Sequence, residues 1–448
     1  MKPNLELERR AFLRATSVAL TAPLFTGGVR GANDRIRVGF IGTGVMGTGN
    51  LGHCMRQPNV EVAAVCDVYQ PNLERAAETA RQGGHSPKVV KDFREVLADR
   101  SVDAVCISAP DHWHAYMAVE ACKAGKDVYV EKPVSLTVDE GRRMVEAARK
   151  YQRVVQAGTM QRSNVVIRKA AEIVRSGQLG KIQFVRAIQY TLIPADYLGN
   201  PPDSDPPPGL DWDLWLGPAP KRPFNQNRFG VNPSQYGIPD PNMFPAGAKW
   251  SSFRYFWDYA GGDMTDNGVH QLDIVQMAFD EAVPRTITAL GGKLRLRDNR
   301  ETPDTLNALF EYPGFIAAFE VRLGNTQNFG GGTIVFYGDR GTVSVSRNAL
   351  RLIPERGSDL TPIDEKITDI SHMNRAHWAN FLECMRTRQK PVADIEIGHR
   401  STTTCHLGNV AYRSRLRLDW DSRTETTMQA EARKYLMREC RSPWKLVV

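Results

Sequence analysis

Cysteine is scarce: seven residues in 448, with no CxxC and no close spacing that suggests a pair. That excludes a disulfide-framework domain. Glycine shows no period of three and no heptad pattern persists, so collagen-like and coiled-coil readings also fail. Internal repeats and low-complexity tracts are missing as well. Basic residues exceed acidic ones only modestly, 58 against 50. The densest basic cluster beyond the N-terminus, Arg413 to Arg417, is short and lacks interleaved aromatics, so no nucleic-acid partner is expected. A long apolar run is also lacking. Ala15 to Val29 is uncharged, but its fifteen residues include several Thr and Gly. Such a stretch cannot cross ~30 Å of hydrocarbon as a helix, and no stable membrane span is expected.

What the chain has is material for a core. Its 42% hydrophobic and 24% charged residues describe a globular protein, and its length suits two or three domains. Cys66 and Cys106 lie in apolar, strand-like runs and read as small core residues. The N-terminus differs. Residues 1–32 hold five basic and two acidic side chains, with Glu8-Arg9-Arg10-Ala11-Phe12-Leu13-Arg14 ahead of the uncharged stretch. A basic region followed by a short, weakly apolar one reads as an export signal. Paired arginines followed by x-Phe-Leu resemble the twin-arginine type, which carries folded proteins across the bacterial inner membrane. The expected location is periplasmic or exported, and cytoplasmic if the leader does not function. Arg30 stands where a small residue should precede cleavage, so the cut site stays open.

From Asn33 the pattern alternates strand and helix. Ile36 to Ile41 is a short apolar strand, followed by Gly42-Thr43-Gly44-Val45-Met46-Gly47. A second strand, Val60 to Cys66, ends at Asp67, 20 positions after Gly47. A strand, GxGxxG, a helix and a delayed acid together make the dinucleotide fingerprint. Gly42 permits the tight turn, Gly44 lets backbone approach the pyrophosphate, and Gly47 allows helix and strand to pack closely. The helix N-terminus offers amides to phosphate. Asp67 can accept from the ribose hydroxyls and repel a 2′-phosphate, which favours NAD over NADP. Further strands are predicted at Asp103–Ser108, Asp127–Glu131 and Val154–Gly158. Asp92 and Thr137 open the helices between them as capping boxes. The reading is a parallel doubly wound sheet with its ligand edge at the strand C-termini. That edge holds Thr43, Asp67, Ala109 to His114 (including Pro110 and Asp111), Glu131-Lys132-Pro133, and Gln156 to Arg162.

After Arg162 the rhythm changes. Ile182–Tyr190, Thr305–Phe310, Phe315–Arg322, Thr333–Tyr337 and Thr342–Val345 read as an antiparallel sheet in an α+β domain. Residues 194–223 hold nine of the 27 prolines, with Trp212 and Trp215, and suggest a lid, binding loop or subunit contact. Asp266 and His270, at i and i+4, are expected on one helix face, where a carboxylate can orient an imidazole base. The HxH of His112 and His114 lacks a third ligand, so no metal is expected. His372, His377, His399 and His406 show no ligand spacing and read as structural.

The division that follows is a leader over 1–32, a Rossmann domain over 33–158, an α+β domain on a large, mainly antiparallel open sheet over 159–420, and a tail over 421–448 packing back on the protein. An exposed sheet face would suit a homo-oligomer, dimer or tetramer.

Three features taken together, GTGVMG after the first strand, Glu131-Lys132-Pro133 at the end of the Asp127–Glu131 strand, and GGxxxDxGxHxxD over 261–273, resemble the Gfo/Idh/MocA family of glucose-fructose oxidoreductase and inositol dehydrogenase. The similarity spans about 34–420. It is greatest to an exported branch, through the leader, Asp211-Trp212-Asp213-Leu214-Trp215-Leu216-Gly217-Pro218 and Arg441-Ser442-Pro443-Trp444. The resemblance implies a sugar or cyclic polyol substrate. It places Lys132 between nicotinamide and substrate, where its ammonium lowers the cost of an alkoxide. His270 is the implied proton acceptor, with Asp266 its companion. Asp111 to His114 and Glu131 match the cofactor side. Gln161 and Arg162 match a substrate-edge loop, and Tyr190 is counted with the substrate contacts.

Compartment narrows the chemistry. An exported chain meets no free NAD, so a tightly held cofactor must be regenerated within each cycle. Hydride passing between two sugars meets this demand. So does an NAD-dependent glycosidase that oxidises, eliminates, adds water and re-reduces. Oxidoreduction ranks first, because Asp266-x-x-x-His270 looks like the inositol-dehydrogenase arrangement. A catalytically silent NAD-binding sensor is a third reading, and intact Lys132, Asp266 and His270 speak against it.

Overall fold

A computed structural model describes residues 35–231, 249–328 and 331–448. The expected leader, residues 1–32, lies outside the described residues. Six parallel strands form the first sheet: β1 Ile36–Ile41, β2 Val60–Cys66, β3 Lys88–Val90, β4 Ala104–Ile107, β5 Asp127–Val130 and β6 Val155–Ala157. Their order is β3-β2-β1-β4-β5-β6, so the sheet reverses direction beside β1, as the strand–helix alternation predicts. The central strands β1, β4 and β5 are buried on both faces and read as largely apolar runs for that reason, while the edge strand β3 is mostly exposed. The connecting helices are α1 Val45–Met55, α2 Gln70–Gln82, α3 Phe93–Ala98, α4 Asp111–Lys123 and α5 Val138–Lys150.

Local chemistry sets where these helices start. Thr137 and Glu140 form a reciprocal capping box at α5. At α3 the box is incomplete: Asp92 accepts from Arg94 N, while Glu95 reaches Lys88 instead.

After α6 (Val165–Arg175) the chain builds a second sheet of ten strands. It comprises β7 Ile182–Tyr190, β8 Thr286–Gly292, β9 Thr305–Tyr312, β10 Phe315–Arg322, β11 Ile334–Gly338, β12 Gly341–Val345, β13 Ala349–Pro354, β14 Ile363–Lys366, β15 Leu418–Asp421 and β16 Thr426–Thr427. Only β7 and β10 pair in parallel. Among the described residues ahead of β8 are the helices α7 Trp212–Leu216, α8 Gln226–Phe229, α9 Gly262–Asp266 and α10 Gly268–Ala278; α11 His372–Thr387 and α12 Ile395–Ser414 follow β14.

Period-two alternation decides the faces. Leu306, Ala308 and Phe310 of β9 are buried against α6, α10 and α12, whereas Leu309 and Ile316 stand exposed on the other face. At the C-terminus Trp444 packs edge-on against Trp113, 4.8 Å between ring centroids, and Arg438 reaches Glu140 at 2.6 Å.

All seven cysteines are free thiols.

Candidate active site

The glycine-rich loop sits where β1 meets α1. Gly42 has φ +81, and a side chain there would meet the Ala109 backbone at 2.5 Å. A Cβ on Gly47 would lie 1.9 Å from the Gly42 carbonyl, so glycine keeps α1 against the strand. Gly44 is different. An added Cβ there would meet nothing of the protein closer than 3.9 Å, and the residue borders a cavity open to solvent, with about 1,030 Å³ of empty space counting its mouth. No side chain caps α1, which leaves its first amides to a ligand. An open backbone, uncapped amides and a cavity of ligand size fit a dinucleotide.

Asp67 closes this end. Its Oδ2 accepts from Thr43 N at 2.7 Å and from Thr43 Oγ1 at 3.2 Å, and its Oδ1 accepts from Tyr69 N at 2.9 Å. Burial raises its pKa, against these hydrogen bonds. The residue therefore braces the loop as well as bordering the cavity, and Oδ1 keeps lone-pair capacity for a hydroxyl. Val45, Met46, Ala109, Pro110, Asp111, His114, Glu131 and Lys132 border the same cavity, while Thr43 lies behind it.

At the far end Lys132, just past β5, donates from Nζ to Asp266 Oδ1 at 2.6 Å and to the Asp266 carbonyl at 3.0 Å. Arg254 Nε donates to the same Oδ1 at 2.9 Å. Burial would raise the Asp266 pKa, but Arg254 and Lys132 outweigh it and hold the carboxyl well below its usual range. His270 is buried, and its Nδ1 has no partner among the described residues. Burial first, then the charges of Lys132 and Arg347, push its pKa well below the ordinary imidazole value, so the ring is neutral at pH 7. Lys132, Asp266 and His270 thus form one electrostatic cluster. The single helix expected beneath them is broken: α9 ends at Asp266 and α10 begins at Gly268.

Asp111, first residue of α4, has its pKa pushed up to about 7 by burial, with Arg254 opposing and Asp266 assisting. Its titration was not foreseen from the sequence, although a buried Asp after Pro110 is the relevant signal. Arg254 was missed altogether. The Ser252–Tyr255 turn that places it lies far along the chain from Lys132 and carries no motif.

Other expected residues lie elsewhere. Arg162 is buried away from the cavity, with Nε bonded at 2.9 Å to both Asp273 oxygens and Nη1 at 2.8 Å to Glu281. It pins the Met160–Ser163 turn to α10, and Gln161 is buried in that turn; neither borders the dinucleotide cavity, and nor do Asp266 and His270, which sit behind Lys132 and Arg254. Tyr190 is corrected by parity. It pairs with Arg322 on the face opposite α10, where its hydroxyl donates to Glu320. His114 places Nδ1 and Nε2 each 2.7 Å from a carbonyl, of Pro133 and Ala109, and burial pulls its pKa down to about 4. It ties α4 to the end of β5 and has no nitrogen free for a ligand. His112 Nε2 faces the Trp215 carbonyl at 3.1 Å. His377 and His406 spend nitrogens on the carbonyls of Ala157 and Ser135, and His399 pairs with Glu425.

The Pro-rich segment walls the cavity with Leu214 and Trp215, and Phe229 of α8 adjoins them. Trp212 stacks on Trp215 at 4.6 Å, so one ring covers the other instead of lying open.

Comparison with known proteins agrees with this geometry. Residues 36–159 match the NAD-binding Rossmann-fold model of the Gfo/Idh/MocA oxidoreductase family. Residues 235–344 and 328–446 match two C-terminal domain models of the same family. A curated relative from Shewanella sp., named a glycosyl hydrolase family 109 protein, is 33% identical over 175 residues, which is 33% of this chain and 38% of that protein. The chain therefore matches well under half the length of such relatives. Among solved structures, the WlbA dehydrogenase of Bordetella pertussis, in complex with NADH and UDP-GlcNAcA, superposes with a TM-score of 0.62 at 19% identity, covering 86% of this chain and 99% of that one. An aldose-aldose oxidoreductase from Caulobacter crescentus gives 0.62 at 18% identity, with the same coverage of both chains. At such identities the likeness concerns the fold.

Proposed function

The chain belongs to the Gfo/Idh/MocA oxidoreductase family, and from that premise we propose that it moves hydride between a sugar or cyclic polyol carbon and a tightly held NAD. The observation that carries the reading is Lys132, which borders the dinucleotide cavity and holds its ammonium 2.6 Å from an ionised Asp266, with its charge felt by His270. The bound nicotinamide supplies a hydride acceptor. Lys132 stabilises charge on the substrate oxygen as its carbon is oxidised. His270, neutral at pH 7, takes the hydroxyl proton. Asp266, with Arg254 behind it, keeps the ammonium aimed. NADP is the less suitable cofactor, because Asp67 would oppose its extra phosphate.

A second reading, an NAD-dependent glycosidase, is favoured by curated relatives named glycosyl hydrolase family 109 proteins. It shares the same oxidation step and the same residues. Export through residues 1–32 belongs to the proposal too, and it calls for retained NAD and a redox-neutral cycle. Purified protein is mixed with free sugars, and separately with nitrophenyl glycosides. Reduced nicotinamide from free sugars supports the dehydrogenase, and nitrophenol without net reduction supports the glycosidase. Neither signal, with NAD still bound, overturns both in favour of a sensor.

A further inference from the structure

Residues 437–448 form neither helix nor strand, so individual contacts set their path. Arg438 anchors one end, donating from Nε to Glu140 and from Nη2 to the His112 carbonyl, both at 2.6 Å. Three residues on, Arg441 turns to the cofactor wall. Its backbone N donates to the Pro218 carbonyl at 3.0 Å, Nε to the Gly217 carbonyl at 2.8 Å and Nη2 to the Asp213 carbonyl at 2.9 Å, while Nη1 meets Asp213 Oδ1 at 2.5 Å. The amide and the whole guanidinium are thus spent on residues 213–218.

That stretch is α7 and its exit, which brings Leu214 and Trp215 to the cavity. A helix of five residues has little stability of its own and depends on tertiary contacts. Arg441 fixes both ends of it: the Asp213 carbonyl in its first turn, and the Gly217 and Pro218 carbonyls just past its last. The Asp213 carboxylate is 70% exposed, so the ion pair adds little and the carbonyl bonds carry the attachment. Trp444 completes the seat. It is buried against Trp113 and Phe93, with ring centroids 4.8 and 6.4 Å away, and both rings border the cavity. A side chain at Gly217 would meet the Trp113 ring at 1.9 Å, so the end of α7 lies on the ring that Trp444 covers.

We propose that Arg441 is a positioning residue for the cofactor: the C-terminal tail is a strap, and Arg441 holds Trp215 over the bound dinucleotide and slows its release. This rests on the reading of a tightly held NAD and supplies the part of the chain that holds it.

The test mixes NADH-loaded protein with excess NAD, without sugar, and follows NADH release by loss of nicotinamide fluorescence. Arg441→Gln should raise the release rate at least about tenfold while leaving the Tm of the NAD-free protein unchanged. Arg441→Lys should recover part of the retention, because an ammonium can reach one carbonyl but cannot fork across the helix. Unchanged release in Arg441→Gln, a rise matched by a lower Tm of the NAD-free protein, or an equal rise in Arg441→Lys would each overturn the proposal. No sugar is present, so a failure of the hydride-transfer reading shows instead in the sugar and glycoside assays.

Discussion

Lys132 has an obvious partner beside it in sequence, Glu131, yet its ammonium goes to Asp266, 134 residues away. Glu131 is engaged by Asn50 at 2.8 Å instead. Removing the Asp266 charge should therefore misdirect Lys132. Asp266→Asn is expected to lower kcat by about 10² or more while NAD stays bound, read by steady-state kinetics and cofactor absorbance. Asp111 offers a prediction in pH. Its carboxyl is ordinary in the unfolded chain and raised to about 7 in the fold. Its stabilising contribution is thus complete below about pH 4 and lost as pH rises through 7. Asp111→Asn should accordingly shrink the fall in Tm between about pH 5 and 8, checked by calorimetry against the parent. The site's arginines were the hardest residues to read. Arg162 looked like a loop residue because Asp273 lies 111 positions on, and Arg254 gains meaning only once the chain brings it to Asp266.

Elements governed by neighbouring residues were legible. The loop from Gly42 to Gly47, the Thr137 box and the apolar strands of the first sheet follow from spacing alone. Gly47→Ala should drive its methyl into the Gly42 carbonyl, costing about 1–3 kcal/mol in stability and most of the bound NAD, measured by denaturant melts and cofactor content. Two features were not local. The break at Asn267 between α9 and α10 interrupts a pattern that reads as one helix. The face of Tyr190 depends on the pairing of β7 with β10, where a one-residue change of parity turns a side chain away from the site. The Pro-rich segment announced itself by composition, but not its docking. The Trp215 carbonyl accepts from Trp113 Nε1 at 2.9 Å, holding the segment to α4. Trp215→Ala should open this wall and raise the NAD release rate at least about tenfold, followed by cofactor fluorescence.

On the scale of the molecule, fold class was readable because helices and strands alternate in one half and strands dominate the other. The open face of the large sheet leaves Leu290 81% exposed, beside Leu309 and Ile316. A homo-oligomer through this face remains our proposal. The double variant Leu309→Arg, Ile316→Arg should sediment as a monomer if so, with an unchanged sedimentation coefficient as the contrary result. The central claim is that Lys132 serves hydride transfer inside a protein that keeps its own NAD. Carbon-deuterated sugars, incubated with natively purified protein and followed by mass spectrometry of the bound nicotinamide, address it directly. The account predicts deuterium on the cofactor of the parent and none on that of Lys132→Ala, with NAD equally retained in both. Equal labelling of the two proteins, or a parent that holds NAD and never acquires deuterium, would contradict it.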